Sequence, residues 1–203
     1  MTDRRTAKHN KGKTAGRLAA LMLCLLMMVM TAACEAKSDA EKKVAAELDA
    51  LKTSDSIGSE VSDLKNSLSD EGRQNFDAFL NKLRDFDYEI TGVSEDTESD
   101  TTAVTVRIIT YDFGREYLAE WTEYLKTHDD AVAADDELIE FYEELFARLA
   151  AIEKKECIKD VEITCVKPLD NGEWIANIKD NEKLQDAVFG GMLSEMKTLA
   201  EEQ

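Results

Sequence analysis

Two segments rich in β-branched and aromatic residues, DYEITGV (87–93) and TTAVTVRIITYDF (101–113), interrupt a chain otherwise arranged in helical stripes. With the polar stretch SEDTESD between them, they predict a β-hairpin over residues 88–111. Three apolar stripes at helical spacing precede it: Val44, Leu48 and Leu51; Ile57, Val61, Leu64 and Leu68; Phe76, Phe79, Leu80, Leu83 and Phe86. Two more follow, Tyr117, Leu118, Trp121 and Leu125, then Leu138, Phe141, Tyr142, Leu145, Leu149 and Ile152 beyond the acidic break HDDAVAADDE. ECIKDVEITCVK alternates apolar and polar residues, so a strand is expected around Cys157–Lys167. Pro168 ends that strand, and Asp170-Asn171-Gly172 supplies the positive φ angles of a tight turn. EWIANI completes a second hairpin, and a last helix carries Leu184, Ala187, Val188 and Phe189 up to Gly190-Gly191, beyond which a helix is free to resume. The predicted order is α-α-α-β-β-α-α-β-β-α. A single proline and nine glycines suit long helices better than a loop-rich sandwich.

The start of this body is marked. Ser38 and Glu41 have the spacing of a capping box, in which each side chain meets the other's free backbone N–H. Upstream lies a different kind of segment. Residues 1–33 hold six basic groups up to Arg17 against Asp3 alone, then the apolar run LAALMLCLLMMVM (18–30), then Thr31-Ala32-Ala33. Basic, apolar and small is the order of a secretory signal. An uncleaved membrane helix needs about 17–25 apolar residues, and the 16 from Leu18 to Ala33 make it marginal. A general signal peptidase finds small residues at Thr31 and Ala33. The reading that fits best is a third one: Thr-Ala-Ala-Cys resembles a bacterial lipobox, matched at Ala32, Ala33 and Cys34, with Thr31 standing where an aliphatic is usual. That resemblance implies cleavage between Ala33 and Cys34 and a thioether diacylglycerol on Cys34. Acyl chains of the palmitate type, at about 0.8 kcal/mol per buried methylene, anchor stably when there are two. The expected organisation is a lipoprotein signal peptide over 1–33, a lipidated N-terminus and short tether over 34–37, and a single α+β domain over 38–203. About four residues, at most about 14 Å of chain, separate Cys34 from the first helix.

Charge narrows the partners. The chain has 25 basic and 43 acidic residues, so removing residues 1–33 leaves 19 and 42, a net of −23. Such a body repels phosphate backbones, and nucleic acid is excluded as a partner.

Candidates for chemistry are sparse. His128, the one histidine beyond residue 33, lies in KTHDD with no serine or cysteine nucleophile around it and reads as a solvated loop residue. No Cys/His cluster has zinc spacing. Asp96, Glu98 and Asp100 alternate like calcium ligands, but Thr101 stands where an EF-hand loop needs glycine; Asp129-Asp130 and Asp135-Asp136-Glu137 read as solvated turns or helix caps. Cys157 and Cys165 are eight strand residues apart, about 26 Å, against the roughly 4.4–6.8 Å of a disulfide, so they read as small half-buried hydrophobes. Tyr117, Trp121, Tyr124, Phe141 and Tyr142 line either an apolar pocket or, more simply, the core. Gly190-Gly191 follows a helix and is no phosphate loop. No catalytic residue, metal ligand or cofactor site is expected.

Three stretches carry a wider resemblance: AELDALKTSDSIGSEVSDL, FDYEITGVSEDTESDTTAVTVRIITYDF and VEITCVKPLDNGEWIANIKDNEKLQDAVFGG. Together with Trp174 after the last turn and the closing glycine pair, they resemble a family of small lipoproteins of Gram-positive bacteria with the fold of nuclear transport factor 2, also called cystatin-like. The resemblance implies N-terminal helices packed on a curved antiparallel sheet of two hairpins, with a helical insertion between the hairpins and a concave, cone-like mouth. The expected function is a non-catalytic module, lipid-anchored on the extracytoplasmic face of the cell membrane, that binds a small molecule or an envelope protein. The alternative is a cell-envelope enzyme using carboxylate acid–base residues in the concave pocket, which a buried, pKa-raised Asp or Glu at the mouth would support.

Overall fold

In the computed structural model the described residues are 38–54, 61–96, 100–127, 135–168 and 172–201. All described elements belong to the unit Ser38–Gln203. Ser38 Oγ accepts from Glu41 N–H at 3.2 Å, and Glu41 Oε2 accepts from Ser38 N–H at 2.6 Å, the reciprocal cap read from the sequence. Helix α1 follows (Asp39–Thr53), with Ala40, Val44 and Leu48 buried on one stripe. Next come α2 (Ser62–Ser67) and α3 (Asp70–Arg84), the latter capped by Ser69, whose Oγ accepts from Gly72 N–H at 3.0 Å.

Strands β1 (Asp87–Asp96) and β2 (Thr101–Thr110) form the expected hairpin, with a bulge between Ile90 and Gly92. Helices α4 (Phe113–Thr127) and α5 (Asp135–Ala151) separate it from β3 (Cys157–Val166) and β4 (Ile175–Ala176). Helices α6 (Glu182–Val188) and α7 (Met192–Glu201) close the chain. The architecture is α+β, an open four-stranded antiparallel sheet in the order β1-β2-β3-β4. Along β2 every second residue from Thr102 to Thr110 is buried, and on β3 so are Val161, Ile163 and Cys165. Register brings these together, Val104 opposite Ile163 and Val106 opposite Val161, on the face that α1 and α6 cover. That alternation is what a sheet with one wet face requires.

The helices do not share this core as the sequence suggests. Of the three N-terminal helices, only α1 supplies residues to the sheet's core. The aromatic stripe of α3 finds aromatic partners elsewhere: Phe76 meets Phe146 edge-on at 4.8 Å, and Phe79 meets Phe113 at 5.3 Å. Edge-to-face rings gain beyond their buried area, so α2, α3, α4, α5 and α7 bury a second, helical core.

The second hairpin is also shorter than expected, since β4 pairs with β3 only at Cys165–Ala176 and Val166–Ile175. Farther along β3, Thr164 O accepts from Asn177 N–H at 2.9 Å and Glu162 O from the Asn181 side-chain amide at 2.9 Å. Asn181 Oδ1 meanwhile accepts from Leu184 N–H and caps α6. The β3 edge is satisfied by that cap instead of by more strand.

Two joints hold the cores together. Tyr111 O–H donates to Asp85 at 2.7 Å, and Lys155 Nζ bridges Asp85 and Asp87 at 3.0 and 2.9 Å. The Tyr111 hydrogen bond holds the Asp85 carboxyl below its ordinary range. At the α6–α7 turn, Gly190 O accepts from Gly114 N–H at 3.1 Å, so two backbones touch directly. Among the described residues, no helix is long and apolar enough to cross a membrane.

Candidate functional site

The sequence candidates scatter. Ala33 and Cys34 lie outside the described residues, as do His128, Asp129, Asp130 and Glu98. Asp96 ends β1 and Asp100 takes φ 50° in the turn. Among the described residues, no three His, Cys, Asp or Glu side chains are grouped to hold a metal ion. Cys157 and Cys165 are free at opposite ends of β3, opposite Thr110 and Thr102. Burial pushes both thiols up, which keeps them in the poorly nucleophilic protonated form.

The five aromatics form core. Phe141 is the hub: Tyr124 lies 5.3 Å away, Tyr142 5.4 Å, Trp121 5.5 Å and Tyr117 6.4 Å, all at steep interplanar angles. Tyr117, Tyr124 and Phe141 are buried, while Trp121 and Tyr142 are half-buried against them.

Sequence reasoning missed Glu120. It is the only carboxylate buried among the described residues, 2% exposed, on the inward face of α4. The signal was present, because Glu120 sits between Tyr117 and Tyr124 on the aromatic stripe, where a charge has no hydrophobic reason to be. Arg148 on α5 forms an ion pair with Glu120 Oε2. Burial is the largest influence and raises the Glu120 pKa; Arg148 opposes it, and the neighbouring Glu144 and Glu123 carboxylates add to the rise.

Sign follows from direction. A carboxyl whose folded pKa lies above its unfolded value costs stability wherever it is ionised in the fold, and that cost is relieved as pH falls through the folded pKa. Glu120→Gln keeps the shape, retains an oxygen for Arg148 and offers Glu144 a donor. It is expected to stabilise the protein at neutral pH by about 1 kcal/mol, with the gain shrinking in mildly acidic buffer. Urea unfolding at the two pH values measures this, and a loss of stability at neutral pH would show that the ionised pair is favourable.

In front of Arg148 opens a cleft of about 450 Å³, between the first turn of α4, the last turn of α5 and the segment leading to β3. Arg115, Arg148 and Lys154 line it with Glu116, Glu153 and Glu156, so the two signs balance within a strongly acidic body. Arg115 is engaged with Glu116 at 3.3 Å, Asp112 at 3.8 Å and Glu156 at 3.9 Å. The cleft offers ionic contacts of both signs over the apolar floor of Ala151 and Ile152.

No protein-family model matches the chain, and no curated protein matches it. Among solved structures, a "putative lipoprotein" (ycdA) of Bacillus subtilis aligns at TM-score 0.33 and 13% identity, covering 73% of this chain and 46% of that one. The chain thus spans less than half the length of that protein.

Proposed function

We propose that this chain is a lipoprotein of the extracytoplasmic membrane face, held by diacylglycerol on Cys34, whose body is a non-catalytic module for a small molecule or an envelope protein. The observation that carries it is the abutment of two signals. A basic-apolar-small stretch runs up to Cys34, and the capped start of α1 follows four residues later at Ser38. The finer fold reading, the cone-like cystatin arrangement, is supported by α1 lying against one face of a sheet whose halves are separated by α4 and α5. Cys34→Ala is expected to abolish lipid attachment and leave either a released body or an unprocessed precursor. Fractionation with mass spectrometry of the N-terminus measures it; a cleaved, lipid-free form still held in the membrane would end the anchoring reading.

One observation favours the enzyme reading, the raised pKa of buried Glu120. Against it, Glu120 is paired with Arg148 on the neighbouring helix, which supports a structural role for the carboxyl.

A further inference from the structure

We infer that the tip of the sheet formed by Val166 and Ile175 rests on the lipid surface, with α1 beside it and the helical core turned away from the bilayer. The inference rests on the anchoring at Cys34 proposed above. Val166 and Ile175 are cross-strand partners on β3 and β4. Their neighbours Cys165 and Ala176 pack with the core, so these two point to the uncovered face, 43% and 57% exposed. Trp174, half-buried against the sheet core, adjoins them, and an indole with one wet edge suits a headgroup region.

The direction of α1 decides which end of the body meets the membrane. Its C-terminal turn lies at the start of β1, where Lys52 sits 5.4 Å above the Phe86 ring and Arg84 donates to Ser54 O at 3.0 Å. Its N-terminal turn therefore lies at the other end, in contact with β4, where Lys167 is near Asp39 and Glu173 near Lys43. Cys34 is four residues before Ser38, within about 14 Å of chain. The end of the body nearest to Cys34 along the chain is thus the end of the sheet that carries Val166 and Ile175. Among the described residues the other large exposed apolar side chains lie elsewhere: Val93 opposite Val104 on the face that α1 covers, Ile158 at the far end of β3, Leu118 and Leu125 on α4, Met196 on α7.

Two aliphatic side chains hold no soluble protein on a bilayer. Here the tether makes the encounter intramolecular, and a high effective concentration turns a weak contact into a preferred orientation. Asp39, Asp96 and Glu173 around the tip keep the contact interfacial.

The test uses the full chain purified from its host membrane in a Cys157→Ser background, with a bimane fluorophore on Ile175→Cys or, as reference, on Leu118→Cys. Each protein is reconstituted into phosphatidylcholine vesicles with plain or brominated acyl chains, and the mass of its N-terminus is recorded. The expected result is lipid on Cys34 and loss of emission at position 175 in brominated vesicles, with emission at 118 retained. A lipidated N-terminus with emission kept at 175, or lost equally at both positions, overturns the orientation and leaves the anchor standing. An N-terminus without lipid overturns the anchor and the orientation with it.

Discussion

Gly190→Ala is expected to destabilise the fold by at least about 3 kcal/mol, because among the described glycines a Cβ here meets the closest backbone contact. Gly190 has φ +56°, a left-handed conformation that costs an L-residue about 1–2 kcal/mol by itself. The greater part is contact. A Cβ at this position falls 2.0 Å from Tyr111 O and 2.9 Å from Phe113 N, both backbone atoms that cannot swing aside. Relief requires moving the α6–α7 turn off the β2–α4 junction, which breaks the hydrogen bond from Gly114 to Gly190. Gly172 provides the control, with φ +69° and nothing nearer to a new Cβ than Lys167 Cε at 4.0 Å. Gly172→Ala should therefore lose only the conformational part, about 1 kcal/mol. Equal midpoints for the two variants in urea unfolding would mean the crossing is loose.

Phe86→Ala comes next, at about 3–5 kcal/mol. Phe86 is fully buried between the end of α3 and the start of β1, packed with Val104, Val106 and Ile108 in the sheet core, and it carries Lys52 over its ring. Its loss leaves a cavity at the point where the sheet core adjoins the helical one. Single-tryptophan versions report the two cores separately, Trp174 from the sheet and Trp121 from the helices. Because Tyr111, Asp85, Lys155 and the glycine crossing bind the cores together, both tryptophans should report one shifted transition. Two separate transitions would show that the cores unfold independently, and a shift under about 1 kcal/mol would show that the site collapses around the missing ring.

The candidate site divides along the same line as the fold. Cys34 is read wholly from local pattern. Glu120 is not, although its place on an aromatic stripe marks it, because the partner that makes it tolerable comes from Arg148 on another helix. The cleft depends on the meeting of α4 with α5 and was invisible in the sequence. The aromatic group around Phe141 was legible as core, since helical spacing alone predicts a buried face.

Element type and order follow from neighbours within a few residues. Ser38 and Glu41 cap each other across three positions, the alternation along β2 and β3 fixes which side chains face inward, and Gly190-Gly191 can only end a helix. What packing alone decided is which apolar faces meet. The stripe of α3 would bury equally well against a sheet or against other helices, and hydrophobic attraction has no direction to choose between them. Ring geometry chose Phe146 and Phe113, and that choice split the interior in two.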